Sequence, residues 1–70
     1  MQTFYIYYTA YLQEGRRVKE IREIESQSYV TARGVAEYLA SKVLKEIEDR
    51  GTQVKSLKLD DVYLDKKKPG

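Results

Sequence analysis

The first strand-length stretch of the chain alternates between apolar and mixed positions in the manner of a β-strand. From Thr3 to Leu12, one set of alternate positions is apolar or aromatic throughout, namely Phe4, Ile6, Tyr8, Ala10 and Leu12. The other set holds Thr3, Tyr5, Tyr7, Thr9 and Tyr11. Because successive side chains of a strand point to opposite faces, we expect the first set to face a core. The second set then forms a row of tyrosines on the other face.

A second strand is expected after a short turn. The segment 13–16 is polar and contains Gly15, which predicts a hairpin turn. The following segment, from about Arg17 to Glu25, has apolar residues three apart, at Val18, Ile21 and Ile24. This spacing fits neither strict alternation nor a clear helix. We interpret the segment as a strand with a bulge near Lys19 or Glu20, and a short helix is the alternative.

A helix and a last strand complete the pattern. Ser26 and Ser28 offer N-cap hydroxyls for a helix from Tyr29 or Val30 to Arg50, which Gly51 ends. At 100° per residue, the apolar stripe of this helix consists of Ala32, Ala36, Leu39, Ala40, Val43 and Ile47, with Gly34 on the outward side. A third strand is predicted from about Gln53 to Leu59, with Leu57 and Leu59 on one face and Val54 on the other. Residues 62–64 either continue it past Asp60 and Asp61 or form a separate edge.

The order β-β-α-β predicts an α+β fold, a three-stranded antiparallel sheet with one α-helix packed on one face. The single domain is expected to span residues 1–65, followed by a disordered Lys-rich tail at 66–70. Residues 1–64 hold 10 basic and 10 acidic side chains, so the body is neutral, and the net charge of +2 arises from Asp65 and the three lysines that follow it. One helix covers one face of such a sheet, so the row of tyrosines is expected to be bare.

The composition argues against catalysis and against bound metals or cofactors. The chain has no histidine and no cysteine, and its four glycines are isolated from one another, so no glycine-rich phosphate loop is present. Asp60 and Asp61 are adjacent in a predicted strand, which places them on opposite faces and not as a converging acid-base pair. We therefore expect a protein that is not an enzyme and holds no cofactor. The first residues do not read as a signal peptide, and no apolar run approaches about 20 residues, so we expect a cytoplasmic protein without membrane contact.

The tyrosine row is the one feature that indicates a function. Tyrosine is enriched at protein interfaces because its ring buries a large area at low entropic cost. The first hypothesis is a small non-catalytic interaction or regulatory protein, a homodimer through Tyr5, Tyr7 and Tyr11 that binds another macromolecule. An accessory protein of a phage or mobile element would have this size and composition. Tyr38, expected on the exposed side of the helix, is a further candidate anchor for a partner.

The alternative is a protein that binds RNA or single-stranded nucleic acid. The tyrosines would then serve as a stacking platform for bases. Candidate phosphate partners are Arg17, Lys19, Arg22, Lys55 and Lys58. Three glutamates of the second strand, Glu20, Glu23 and Glu25, are mixed among them and weaken any basic groove.

Two families share part of this layout. The element order and the ending Val-Lys-Ser-Leu-Lys-Leu-Asp-Asp-Val-Tyr-Leu resemble the phage uracil-DNA glycosylase inhibitors, although the acidic excess of a DNA mimic is missing. The layout is also similar to that of the archaeal ribosomal protein LX family, whose Gly-Ser-x-His and Lys-Arg pattern after the helix is absent here. No functional residue is carried over from either family.

Overall fold

The computed structural model describes residues 1–65 and confirms the predicted order of elements. That part of the chain contains three strands and one helix: β1 (Gln2–Leu12), β2 (Arg17–Ser26), α1 (Tyr29–Asp49) and β3 (Val54–Leu64). The third strand thus continues past Asp60 and Asp61 to Leu64 without a break. The predicted tail at 66–70 lies outside the described residues.

The first strand is the centre of the sheet. It pairs antiparallel with both other strands, so the order across the sheet is β2-β1-β3. The hairpin between β1 and β2 closes through two backbone hydrogen bonds: Leu12 N–H donates to the Arg16 carbonyl at 2.8 Å, and Gly15 N–H donates to the Leu12 carbonyl at 3.1 Å. Gly15 has a φ of 84°, a conformation that costs a glycine little and other residues more. The helix then carries the chain across the sheet to the opposite edge.

The core lies between α1 and one face of the sheet, as the alternation of β1 predicts. Phe4, Ile6, Tyr8, Ala10 and Leu12 are all buried, together with Ala32, Ala36, Val43 and Ile47 from the helix. Small residues on the helix bring its backbone close to the sheet. The Tyr8 hydroxyl donates a hydrogen bond of 2.5 Å to the Ala36 carbonyl. This bond gives a buried polar group a partner, and burial raises the pKa of Tyr8 above its ordinary value.

The ends of the helix carry the expected capping residues. The Ser28 side chain accepts a hydrogen bond from the Thr31 N–H at 3.2 Å, as an N-cap serine does. At the other end, Gly51 has a φ of 90° and its N–H donates to the Glu48 carbonyl at 2.9 Å. Gly34 lies inside the helix, and a Cβ added there would meet no atom within 4 Å apart from its chain neighbours and the nearby helix backbone.

The prediction that Val54 faces away from Leu57 and Leu59 is wrong, because β3 contains two bulges. Its register against β1 shifts at Asp60 and again at Lys55, so that each is an extra residue without a partner in β1. A bulge resets the alternation of side chains. As a result Val54, Leu57, Leu59 and Val62 all belong to or pack against the core.

The bulge predicted in β2 is also wrong. The pairing of β2 with β1 is continuous from Ser26 to Arg17, and strict alternation sends Ile21 to the exposed face. The positions that face the helix include Glu20 and Arg22. Arg22 donates to Glu20 at 3.0 Å and to Glu46 at 2.6 Å, and Arg50 donates to Glu20 at 3.0 Å. An ion-pair network between β2 and α1 thus lies between Val18 and Ile24, the two apolar residues of β2 that pack against the core.

Glu20 is the centre of this network. Only 11% of its side chain is exposed, and this burial acts to raise its pKa. The hydrogen bonds and positive charges of Arg22 and Arg50 outweigh the burial, so the pKa of Glu20 lies below its ordinary value.

Replacing Gly34 with alanine should stabilise the protein by about 1 kcal/mol, because alanine restricts the unfolded chain and meets no neighbour in the helix. Urea unfolding measures the change. Gly51→Ala is the matched control: its positive φ strains any side chain, so this variant should lose about 1 kcal/mol. A loss of stability in Gly34→Ala would contradict the prediction.

Replacing Glu20 with glutamine should lower the free energy of unfolding by about 1–2 kcal/mol at neutral pH, because a neutral amide accepts weaker hydrogen bonds from the two guanidinium groups. The pKa of Glu20 is depressed in the folded state, so its contribution is complete above the ordinary value of 4.5 and is lost as pH falls through the folded value.

The difference between Glu20→Gln and wild type should therefore shrink in acid, as followed by urea unfolding at several pH values. Glu23→Gln, on the other face of the same strand, is the control and should change stability little. A difference for Glu20→Gln that persists in strong acid would show that lost packing, not lost charge, is responsible.

Candidate interaction surface

The face of the sheet opposite the helix carries an aromatic surface drawn from all three strands. Its apolar members are Tyr5, Tyr7 and Tyr11 of β1, Ile21 of β2 and Tyr63 of β3, which we call the tyrosine face. The register places these residues together, because Ile21 lies opposite Tyr7 on one side and Tyr63 lies opposite Tyr5 on the other. No element within residues 1–65 packs over this face.

A shallow groove lies at the centre of the tyrosine face. The rings of Tyr7 and Tyr63 meet edge to face, with centroids 5.2 Å apart and planes at 84°. Ile21 and Tyr63 remain 52% and 53% exposed, whereas the three tyrosines of β1 are half-buried by their neighbours. The groove is lined by Tyr7, Lys19, Ile21, Asp60, Asp61 and Tyr63. Aromatic and aliphatic surface is thus held open to solvent in a fixed arrangement.

The bulge of β3 at Asp60 places two carboxylates at this groove. We predicted that Asp60 and Asp61 face opposite sides of the sheet, and this is wrong: both line the groove. Thr9 also lies on this face but is buried. Its hydroxyl donates a hydrogen bond to Asp60 and accepts one of 2.8 Å from Lys19 Nζ. Lys19 Nζ also lies 3.5 Å from Asp60. The hydrogen bond from Thr9, followed by the charge of Lys19, holds the pKa of Asp60 below its ordinary value.

Two tyrosine hydroxyls are tied to aspartates at one end of the face. The Tyr5 hydroxyl donates to Asp65 Oδ2 at 3.2 Å, and this hydrogen bond and the negative charge of Asp65 raise the pKa of Tyr5. A hydrogen bond with Asp61 raises the pKa of Tyr63 in the same way. The neutral phenol is thus favoured at both positions.

Charge is distributed unevenly along the tyrosine face. Around Tyr5 the nearest charged side chains are acidic: Glu23 and Glu25 on β2, and Asp61 and Asp65 on the side of β3. Around Tyr11 they are basic: Arg17 and Lys19 on β2, and Lys58 on β3, although Lys19 is already paired with Asp60 beside Thr9. The face therefore has an acidic end and a basic end, with the groove between them.

The structure places most of the predicted interaction residues on this face. Arg17, Lys19 and Lys58 lie beside Tyr11 and Thr9 of β1, and Lys55 is exposed at the bulge nearer the start of β3. Arg22 is not among them, because it faces the helix and is bound by Glu20 and Glu46.

Tyr38 lies on the helix, away from the tyrosine face. It is 70% exposed, as expected, with Lys42 Nζ 5.8 Å from its ring centroid. It does not belong to the surface described above.

Ile21 and Tyr63 are not among the interaction residues that the sequence predicts. The three-residue spacing of β2 predicts an inward Ile21. The pattern of β3 does not determine where the strand ends, although a buried Val62 would by itself direct Tyr63 outward.

Comparison with protein-family models, with curated proteins and with solved structures finds no match for this chain. Between residues 1 and 65, no three carboxylates are grouped as a metal ion would require. The helix of the described chain is too polar to cross a membrane.

Replacing Thr9 with valine should raise the pKa of Asp60 toward its ordinary value of 3.8, because the hydrogen bond that favours the carboxylate is the largest cause of the depression. Carbon-detected NMR titration of the aspartate carboxyl groups measures this shift. Thr3→Val, on the same face, is the control and should leave Asp60 unchanged. An unaltered titration of Asp60 in Thr9→Val would assign the depression to Lys19 instead.

Proposed function

We propose that this chain is a non-catalytic interaction protein that works through its tyrosine face. The partner that covers this face is a protein, and the favoured partner is a second copy of the chain. The observation that carries the proposal is the groove at Tyr7, Ile21 and Tyr63, where apolar side chains from three strands lie together and exposed. Covering these apolar side chains lowers the free energy, because apolar area is then removed from water.

The residues of this face suit a protein interface. Tyrosine provides a large rigid ring with only two side-chain torsions, and edge-to-face ring pairs add about 0.5–1.5 kcal/mol beyond the area that they bury. The rings of Tyr7 and Tyr63 are already in that arrangement, and the Tyr5 hydroxyl is held by Asp65. Little side-chain entropy is therefore lost when a partner covers them.

The charge distribution favours a second copy. Two such faces packed with their β1 strands running in opposite directions place the acidic end of each over the basic end of the other. Aligned sheet packing of this kind keeps the strands within about 30° of one another. The opposite charges then surround an apolar centre formed by the two grooves, which matches the usual anatomy of an interface.

The same charges count against nucleic acid as the partner. A stacking platform for bases needs phosphate-binding cations along its length. Here Asp60 and Asp61 line the groove itself, and the end near Tyr5 is acidic. Binding of RNA or single-stranded DNA is therefore the alternative function, and the experiment below distinguishes it from self-association.

Replacing Tyr7 with serine should halve the solution mass of the protein. The wild type is expected at a multiple of 8.2 kDa, as measured by light scattering on a sizing column at low and high salt. Association is expected to weaken in this variant because Tyr7 lines the groove and its ring packs against that of Tyr63.

Tyr38→Ser provides the matched control, since it removes an exposed tyrosine from the helix and should leave the mass unchanged. A wild-type monomer that binds single-stranded RNA or DNA, with affinity that falls steeply as salt rises, would replace the proposal by its alternative. A mass that Tyr7→Ser does not change would exclude the tyrosine face as the surface of self-association.

A further inference from the structure

The free edge of β2 is complementary to itself. On the tyrosine-face side of β2, the side chains run Arg17, Lys19, Ile21, Glu23, Glu25, so two positive charges precede the isoleucine and two negative charges follow it. On the helix side, the run is Val18, Glu20, Arg22, Ile24. We propose that β2 pairs antiparallel with β2 of a second copy about a two-fold axis at Ile21, which joins two three-stranded sheets into one sheet of six strands.

Every cross-strand pair in this register is favourable. Arg17 lies opposite Glu25 of the second copy, Lys19 opposite Glu23, and Ile21 opposite Ile21. On the helix side, Val18 lies opposite Ile24 and Glu20 opposite Arg22. Opposite charges and apolar residues that face each other directly contribute about 0.2–1 kcal/mol per pair, and the two-fold axis makes each pair other than the central one occur twice.

The other symmetric registers bring like charges together. Moving the axis by one residue places Glu20 against its own copy, or Arg22 against its own copy. Moving it by two residues does the same for Lys19 or for Glu23. Like charges that face each other directly are destabilising, so the sequence specifies the register centred at Ile21.

The backbone of β2 has the matching hydrogen-bond pattern. The bond between Leu12 and Arg16 at the turn, together with the continuous register, assigns the even-numbered residues of β2 to bonds with β1. The N–H and C=O groups of Arg17, Lys19, Ile21, Glu23 and Glu25 then point to the free edge. The Ile21 carbonyl indeed accepts a hydrogen bond of 3.0 Å from the side chain of Arg22, not from β1. A two-fold axis at Ile21 pairs odd-numbered residues with odd-numbered residues, as these free groups require.

Little in the described chain obstructs this edge: the Arg22 side chain donates to the Ile21 carbonyl, and that carbonyl keeps a second lone pair for the Ile21 N–H of the second copy. The pairing of β2 shows no register shift, the strand contains no proline, and it lies at the border of the sheet. Arg17, Glu23 and Glu25 form no ion pair with another residue of the part described. Their charges therefore remain available to the second copy.

This contact is separate from the tyrosine face. Its two-fold axis is perpendicular to the sheet, so both helices lie on one side of the six-stranded sheet and both tyrosine faces lie together on the other. A face-to-face contact uses an axis in the plane of the sheet, and both contacts can be present in an assembly of four copies. The β2 contact does not depend on the proposed function.

Charge reversal tests the contact on the full-length protein. Arg17→Glu places two carboxylates opposite each other at both ends of the paired strands, and Glu25→Arg places two guanidinium groups there. Each variant should raise the dissociation constant of the β2 contact about tenfold at low salt. The double variant exchanges the two charges and should restore the wild-type constant. Sedimentation equilibrium measures all four proteins, and circular dichroism confirms that each is folded.

Hydrogen exchange followed by NMR identifies the paired edge directly. At concentrations where copies associate, the amides of Lys19, Ile21 and Glu23 should be protected, and their protection should fall on dilution and in Arg17→Glu. In Tyr7→Ser the protection should persist, which separates this contact from one made by the tyrosine face. Fast exchange of these three amides in an associated protein, equal association by all four charge variants, or a monomer at millimolar concentration would each overturn the proposal.

Discussion

A single helix can cover only one side of a three-stranded sheet, and the organisation of this molecule follows from that limit. The central strand β1 meets the limit by alternation: its even-numbered residues from Phe4 to Leu12 are buried under the helix, and Tyr5, Tyr7 and Tyr11 face the other way. The core is complete without the second face. The tyrosine face gathers one part of the apolar area left over, where its three β1 tyrosines stand between Ile21 and Tyr63, whereas Val30 and Tyr38 are exposed on the helix.

The parts of the fold that were predicted from sequence are those in which local pattern and tertiary packing agree. In β1, strict alternation from Thr3 to Leu12 determined both faces. In α1, the apolar stripe, the N-cap at Ser28 and the stop at Gly51 are signals contained within one element. Each of these elements pairs or packs along its whole length with the period that its sequence predicts.

The parts that were not predicted share one ambiguous signal, apolar residues three apart. In β3, Val54 and Leu57, and again Leu59 and Val62, are brought to the same face by bulges. In β2, the same spacing at Val18, Ile21 and Ile24 leaves the strand regular, and Ile21 is exposed. The difference arises from the helix, which packs more closely on β3 than on β2. Where the helix covers β3, the burial of apolar side chains outweighs regular strand pairing. At β2, Glu20 and Arg22 face the helix instead, and their charges are paired with Arg50 and Glu46.

The two edges of the sheet therefore differ in a way that bears on association. Edge strands expose unpaired backbone groups, and bulges and charged residues keep other strands from pairing with them. On β3, the bulges at Lys55 and Asp60 interrupt any long regular pairing. On β2 there is no such interruption, and its charges change sign about Ile21, so they repel most registers and favour one. Charge on β2 thus selects a register, whereas on β3 the irregular backbone resists pairing. The same chain can in this way restrict open-ended growth of the sheet while keeping one edge available to a single, symmetric partner.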